Sequence, residues 1–112
     1  MPRPSKHSSS LFARRLKEAR LRRDISQMRL GVEAGVDEYS ASARINQYER
    51  GKHMPDVLMA RHLARVLKVS AAFFHAESED EAQLLMGFYL LSHAQRQQVL
   101  RFIETRVKKR TK

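Results

Sequence analysis

The chain has no cysteine, and only four glycines and three prolines in 112 residues. Without cysteine there is no disulfide framework, no thiolate metal site and no cysteine nucleophile; the lack fits a reducing compartment such as the cytoplasm. So little glycine and proline, with no alternating apolar–polar runs, argues against an all-β fold built on tight turns. No apolar run approaches the length needed to span a bilayer, so no membrane partner is expected. The opening residues, Met1 to Ser10, lack the apolar core of a signal peptide. Catalytic equipment is not visible either: no nucleophile, base and orienting group stand in a recognisable series, and no glycine-rich phosphate loop occurs. The five histidines, at 7, 53, 62, 75 and 93, form no compact pair at helical ligand spacing. Neither an enzyme nor a metal or other cofactor is expected.

What the chain has is positive charge. Its 22 Lys and Arg against 12 Asp and Glu leave +10, which points to a polyanion, either nucleic acid or an anionic membrane surface. The charge is uneven: residues 1–76 hold 15 basic and 7 acidic side chains (+8), residues 77–112 hold 7 and 5 (+2). It belongs to a compact-domain pattern rather than to one long amphipathic helix, and that favours nucleic acid over a membrane surface.

The chain divides into three segments. Residues 1–10, rich in Ser and Pro with two cations, are expected to be a flexible basic arm. Residues 11–76 read as a run of helices. Ser9 or Ser10 is placed to cap the first, which carries Leu11, Phe12, Leu16 and Ala19 at helical spacing and Arg14, Arg15 and Lys17 on a cationic face. Ser26 caps a second helix that presents Met28 or Arg29, Leu30 and Ala34 and stops at Gly35. Asp37 or Ser40 caps a third, ending at Gly51. Pro55-Asp56 opens a fourth, with Val57, Leu58, Ala60, Leu63, Ala64 and Leu67 as its stripe, and Ser70 caps a short fifth with Phe73 and Phe74. Residues 77–112 form a C-terminal extension. Its acidic start, Glu77 to Glu81, suits a helix N-terminus, and Ser92 restarts a last helix.

The third helix is the most informative. At about 100° per residue, Ala41, Ile45 and Tyr48 share one side as a core set. The opposite side holds Ala43, Asn46, Gln47 and Arg50, flanked by Ser42 and Arg44. A solvated face would usually carry Glu and Lys. Amide side chains instead match the adenine edge of the major groove, Arg pairs bidentately with guanine, and Ala meets a thymine methyl. Two short helices joined by a glycine-containing turn, the second bearing such residues, have the form of a helix-turn-helix.

The chain here resembles the phage-repressor and Cro type of helix-turn-helix, the XRE-like family. The resemblance is carried by Leu16-Lys17-Glu18-Ala19-Arg20, Ile25-Ser26-Gln27, Ala34-Gly35-Val36, Ile45, Tyr48-Glu49-Arg50-Gly51-Lys52, Pro55 and Leu63 to Ser70, over roughly residues 11–75. It implies an all-α, five-helix repressor-like DNA-binding domain, here with one or two further C-terminal helices, that binds operators as a dimer. It implies that Ser42, Ala43 and Gln47 face bases, that Gln27 contacts a phosphate, and that Arg20 and Glu49 form a structural ion pair. Asn46 joins the base-reading set by its position on the wheel, and Arg44, Lys52 and His53 join the phosphate set by charge and place. The departure lies in the turn. Nine residues stand between Gly35 and Ile45 where the family commonly has about five, and the extra four amount to about one helical turn. Either the recognition helix starts a turn early under an Asp37 cap, or a longer loop leads to Ser40.

The expected function is a cytoplasmic, sequence-specific DNA-binding transcriptional regulator, a repressor, with a double-stranded operator as partner. The apolar content of Leu84 to Leu91, together with Val99, Ile103 and Val107, either folds back on the core or pairs two subunits into a homodimer. The competing class is an antitoxin-like interaction module whose C-terminal helices hold another protein.

Overall fold

The computed structural model describes residues 6–111, with side chains from 10 to 110. The order is α1 (Lys6–Arg22), α2 (Gln27–Glu33), α3 (Glu38–Glu49), α4 (Val57–Leu67), a 3-10 helix (Ala71–His75), α5 (Glu79–Leu90) and α6 (His93–Thr111). Among the described residues there is no strand.

α1 begins ahead of both serines expected to cap it, so residues 6–10 are helix rather than arm; residues 1–5 of that arm lie outside the described residues. The physical reason is that no glycine or proline stands between Pro4 and Gly31, and serine within a helix is only mildly unfavourable. α1 buries Phe12, Leu16 and Ala19 and ends before Asp24, whose φ of +54° is left-handed. The Ser26 hydroxyl then accepts from the Arg29 N–H at 3.0 Å and starts α2. Of the residues expected to face inward here, Leu30 and Ala34 are buried, but Met28 is exposed and Arg29 pairs with Glu33 at 3.1 Å on the surface. Gly35, at φ +100°, makes the turn into α3.

α4 is capped by Asp56, which accepts from the Met59 N–H at 2.8 Å. It buries Leu63, Ala64 and Leu67 and leaves Val57 and Leu58 exposed, so the apolar stripe begins later than its sequence suggests. The short fifth element is 3-10 rather than α; Ser70 makes no side-chain cap, and its buried hydroxyl has no partner. Phe73 and Phe74 complete the core, with the Phe12 and Phe74 rings 4.8 Å apart. Burying a side chain of this size contributes about 1.5–3 kcal/mol, so the core gathered from α1, α2, α3, α4 and the 3-10 helix is what fixes the position of α3.

One charged residue lies inside. Arg15 is fully buried, not part of a solvated cationic face. Its Nε donates to Ala76 O at 2.9 Å, Nη2 to Ser78 O at 3.2 Å, and Nη1 reaches Glu18 and Glu79 at 3.2 and 3.3 Å. The spacing could have shown it, because position 15 is i+3 from Phe12 and i−4 from Ala19, within the buried stripe. Arg15 ties the start of α5 to α1.

α5 is capped by Ser78, which accepts from the Glu81 N–H at 3.1 Å. Ser92 and Gln95 start α6 with a reciprocal capping box: Ser92 N–H donates to Gln95 Oε1 at 2.9 Å, and Gln95 N–H to Ser92 Oγ at 3.2 Å. Arg96 fixes the elbow by donating to Phe88 O at 2.9 Å and Tyr89 O at 2.6 Å. Beyond it, α6 does not fold back on the core. Residues 100–110 are all exposed, and the described chain is 56 Å long against 30 and 22 Å across.

Candidate nucleic-acid interface

α3 starts at Glu38, with Asp37 as its cap; the Asp37 carboxylate accepts from the Tyr39 N–H at 2.9 Å. Of the two geometries open for the long turn, this is the early start, and the added residues form a first helical turn. The Ser40 hydroxyl and the Tyr39 N–H both hold the Asp37 carboxyl below its usual range. At the far end, Gly51 at φ +71° turns the chain out, and the Lys52 N–H donates to Gln47 O at 3.0 Å.

Ala41, Ile45 and Tyr48 are buried, as the wheel requires. Burial raises the Tyr48 phenol pKa. Ser42, Ala43, Arg44, Gln47 and Arg50 are exposed, and Asn46 is half-buried. Tyr39 stands 98% exposed on the same side of the helix as Ser42 and Ala43. Sequence alone does not assign it to the reading set, because its place depends on where α3 begins.

The C-terminal half of α3 is locked to its neighbours. The Arg20 guanidinium meets Glu49 in a fork, Nε to Oε2 at 2.5 Å and Nη2 to Oε1 at 3.1 Å, and Nη1 donates to Ile25 O at 2.9 Å. The two side chains are only 13% and 3% exposed. Gln27 Nε2 donates to Glu49 Oε1 at 3.2 Å and to Asn46 Oδ1 at 3.4 Å. The amide hydrogens of Gln27 are therefore directed at α3, and Asn46 commits its oxygen to Gln27. Spacing along the chain gave no signal of this inter-helix link. A second unforeseen contact is Gly31, buried where α2 crosses α3. On the α4 side, His62 Nδ1 lies 3.2 Å from Ala34 O.

The phosphate candidates spread around this frame. Arg44 is exposed on α3, while Lys52 and His53 are exposed in the segment that leaves it. Gln27 sits in the first position of α2, where unpaired backbone N–H groups and the helix dipole favour anions. Among the described residues no group of His, Cys, Asp or Glu is arranged to hold a metal ion, and no helix is long and apolar enough to cross a membrane.

Helices at this order and crossing, with the Asp37-capped α3 presented outward, define an all-α helix-turn-helix domain of the repressor-like kind. A family model described as helix-turn-helix matches residues 16–74, and the chain belongs to that family, in its XRE type. Among solved structures it is similar to the crystal structure of transcriptional regulator BswR, at TM-score 0.77 and 41% identity, over 83% of this chain and 92% of that one. Residues 1–74 are only about two thirds of the chain, so a likeness over 83% extends past the matched domain into the C-terminal helices. No curated protein matches the chain.

Proposed function

We propose that the protein is a sequence-specific transcriptional regulator that lays α3 in the major groove of an operator and represses by occupying it. The observation that carries this is the outer face of α3. Opposite a fully buried apolar set it presents Ser42, Ala43, Gln47 and Arg50, with Asn46 at its edge. Those groups carry both signs of hydrogen-bonding capacity and little bulk, as base edges require. Ser42, Ala43, Asn46 and Gln47 read bases. Arg44, Lys52, His53 and the start of α2 at Gln27 meet phosphates and set the register. The similarity to a transcriptional regulator supports the same reading.

The test is selection of binding sites from random duplex DNA, followed by the salt dependence of the winner. A defined motif is expected, with the logarithm of affinity falling linearly in log salt, at a slope proportional to the phosphates neutralised. Recovery of no motif would overturn the proposal. The operator-binding unit is a homodimer, since two domains read half-sites one helical turn or a multiple of it apart.

The exposed apolar side chains Leu100, Phe102, Ile103 and Val107 of α6 favour a protein contact there. A second copy is the reading that fits operator binding. The antitoxin-like reading, in which α6 holds a different protein, is separated from it by light scattering. A chain that is monomeric alone, and that co-purifies from its native cytoplasm with one stoichiometric partner, would support the second.

A further inference from the structure

We infer that Tyr39 is a specificity-determining residue that reads the 5-methyl group of a thymine at the outer end of each half-site. The inference rests on the proposed docking of α3 and extends it by one turn. α3 begins at Glu38, not after Ser40, and this adds a turn at the end of a recognition helix that contacts base edges.

Three observations place Tyr39 in the reading stripe. At about 100° per residue, it lies in line with Asn46 and Arg50, with Ser42 and Ala43 to either side, opposite Ala41, Ile45 and Tyr48. Its side chain is 98% exposed, whereas the next aromatic residue on α3, Tyr48, is buried. Its backbone is held, because its N–H donates to the Asp37 carboxylate at 2.9 Å, so the ring projects from a defined start of the helix rather than from a loop.

The chemistry selects thymine. A phenol ring is a flat apolar surface with one polar tip. Of the four major-groove edges, only thymine presents a methyl group. Ser42 and Ala43, the adjoining residues on the stripe, are too short to fill the space beside a base pair one turn further along.

The experiment uses the full chain and its selected operator, with Tyr39→Ala, Tyr39→Phe and Gln47→Ala variants. Each is tested on probes carrying thymine or deoxyuridine, which lacks only the methyl group, at each thymine of the half-site. The expected result is one outer position where the wild-type chain loses about tenfold on thymine-to-uridine exchange. Tyr39→Phe keeps that loss, and Tyr39→Ala binds both probes equally at the weakened level. A Tyr39→Ala variant that discriminates as the wild type does at every position would overturn the inference, as would one that weakens all probes uniformly. If Gln47→Ala also leaves every base preference unchanged, the docking of α3 itself fails, and the two failures are thereby told apart. Circular dichroism of the variants checks that the fold is kept, as the exposure of Tyr39 leads one to expect.

Discussion

Gly31 and Ala41 meet where α2 crosses α3: a Cβ placed on Gly31 would stand 2.7 Å from the Ala41 Cβ and 3.0 Å from the Ala41 backbone. No side chain fits between these helices. Gly31→Ala therefore has to push α3 away, and overpacking of this kind costs about 1–3 kcal/mol. Urea melts should show the loss, and Ala41→Gly in the same chain should recover part of it. A Gly31→Ala protein as stable as the wild type would contradict the close crossing.

The Arg20–Glu49 fork makes the end of α3 sensitive to one carboxylate. Glu49→Ala leaves the Arg20 guanidinium nearly buried and unpaired, a change that typically destabilises by about 3–5 kcal/mol. It also releases Gln27, which donates to the same oxygen as Arg20. Chemical denaturation of Glu49→Ala beside Glu49→Gln should show the larger loss for alanine, since glutamine keeps one acceptor.

Base reading by α3 predicts a local defect for Gln47→Ala. It should cost about 1–3 kcal/mol at one base position and relax discrimination there, whereas Lys52→Ala should weaken all sequences alike and flatten the salt slope. Quantitative binding to single-base operator variants separates the two patterns.

The Asp37 cap carries a pH dependence of known sign. Its carboxyl is held below the usual range by the Ser40 hydroxyl and the Tyr39 N–H. Its contribution is therefore complete above the unfolded carboxyl's range and is lost as pH falls through the depressed folded value. Hydrogen exchange at the Tyr39 amide should accelerate on acidification relative to an Asp37→Asn variant, which caps without titrating. Equal acid sensitivity in both would place the effect elsewhere.

A homodimer built on α6 predicts that charge within its apolar face dissociates it. Ile103→Lys and Val107→Lys, at exposed positions, should leave the helical content of the domain intact and shift light scattering from dimer to monomer at micromolar concentration. Operator affinity should fall with it. A wild-type chain already monomeric under those conditions would remove the dimer from the proposal.

Much of the fold can be read from residues that act locally. Ser26, Gly35 and Gly51 mark helix ends because a hydroxyl cap or a positive φ works within a few residues of chain. The buried face of α3 is equally plain, since Ala41, Ile45 and Tyr48 are the apolar residues on one side of an otherwise polar helix. What escaped depends on neighbours distant in sequence. Arg15 lies at a spacing that belongs to the buried stripe, but its charge suggests solvent, and its partners, the carbonyls of residues 76 and 78 with the carboxylates of Glu18 and Glu79, are mostly remote in sequence. Gly31 has no side chain to announce a contact. The Gln27–Asn46 bond exists only once α2 and α3 have crossed. Sequence leaves the start of α3 open between Asp37 and Ser40 because both residues can cap, and the cap that forms is Asp37.

The way Arg15 binds has an evolutionary corollary. Two of its acceptors, Ala76 O and Ser78 O, are main-chain atoms that every amino acid supplies. Codons 76 and 78 are thus free of any duty to recognise the guanidinium, while position 15 has no redundancy. Lysine would bring charge without the planar fork. Under random mutagenesis position 15 should therefore be intolerant on account of this junction, whereas positions 76 and 78 answer to other duties, Ala76 to the core and Ser78 to the cap of α5.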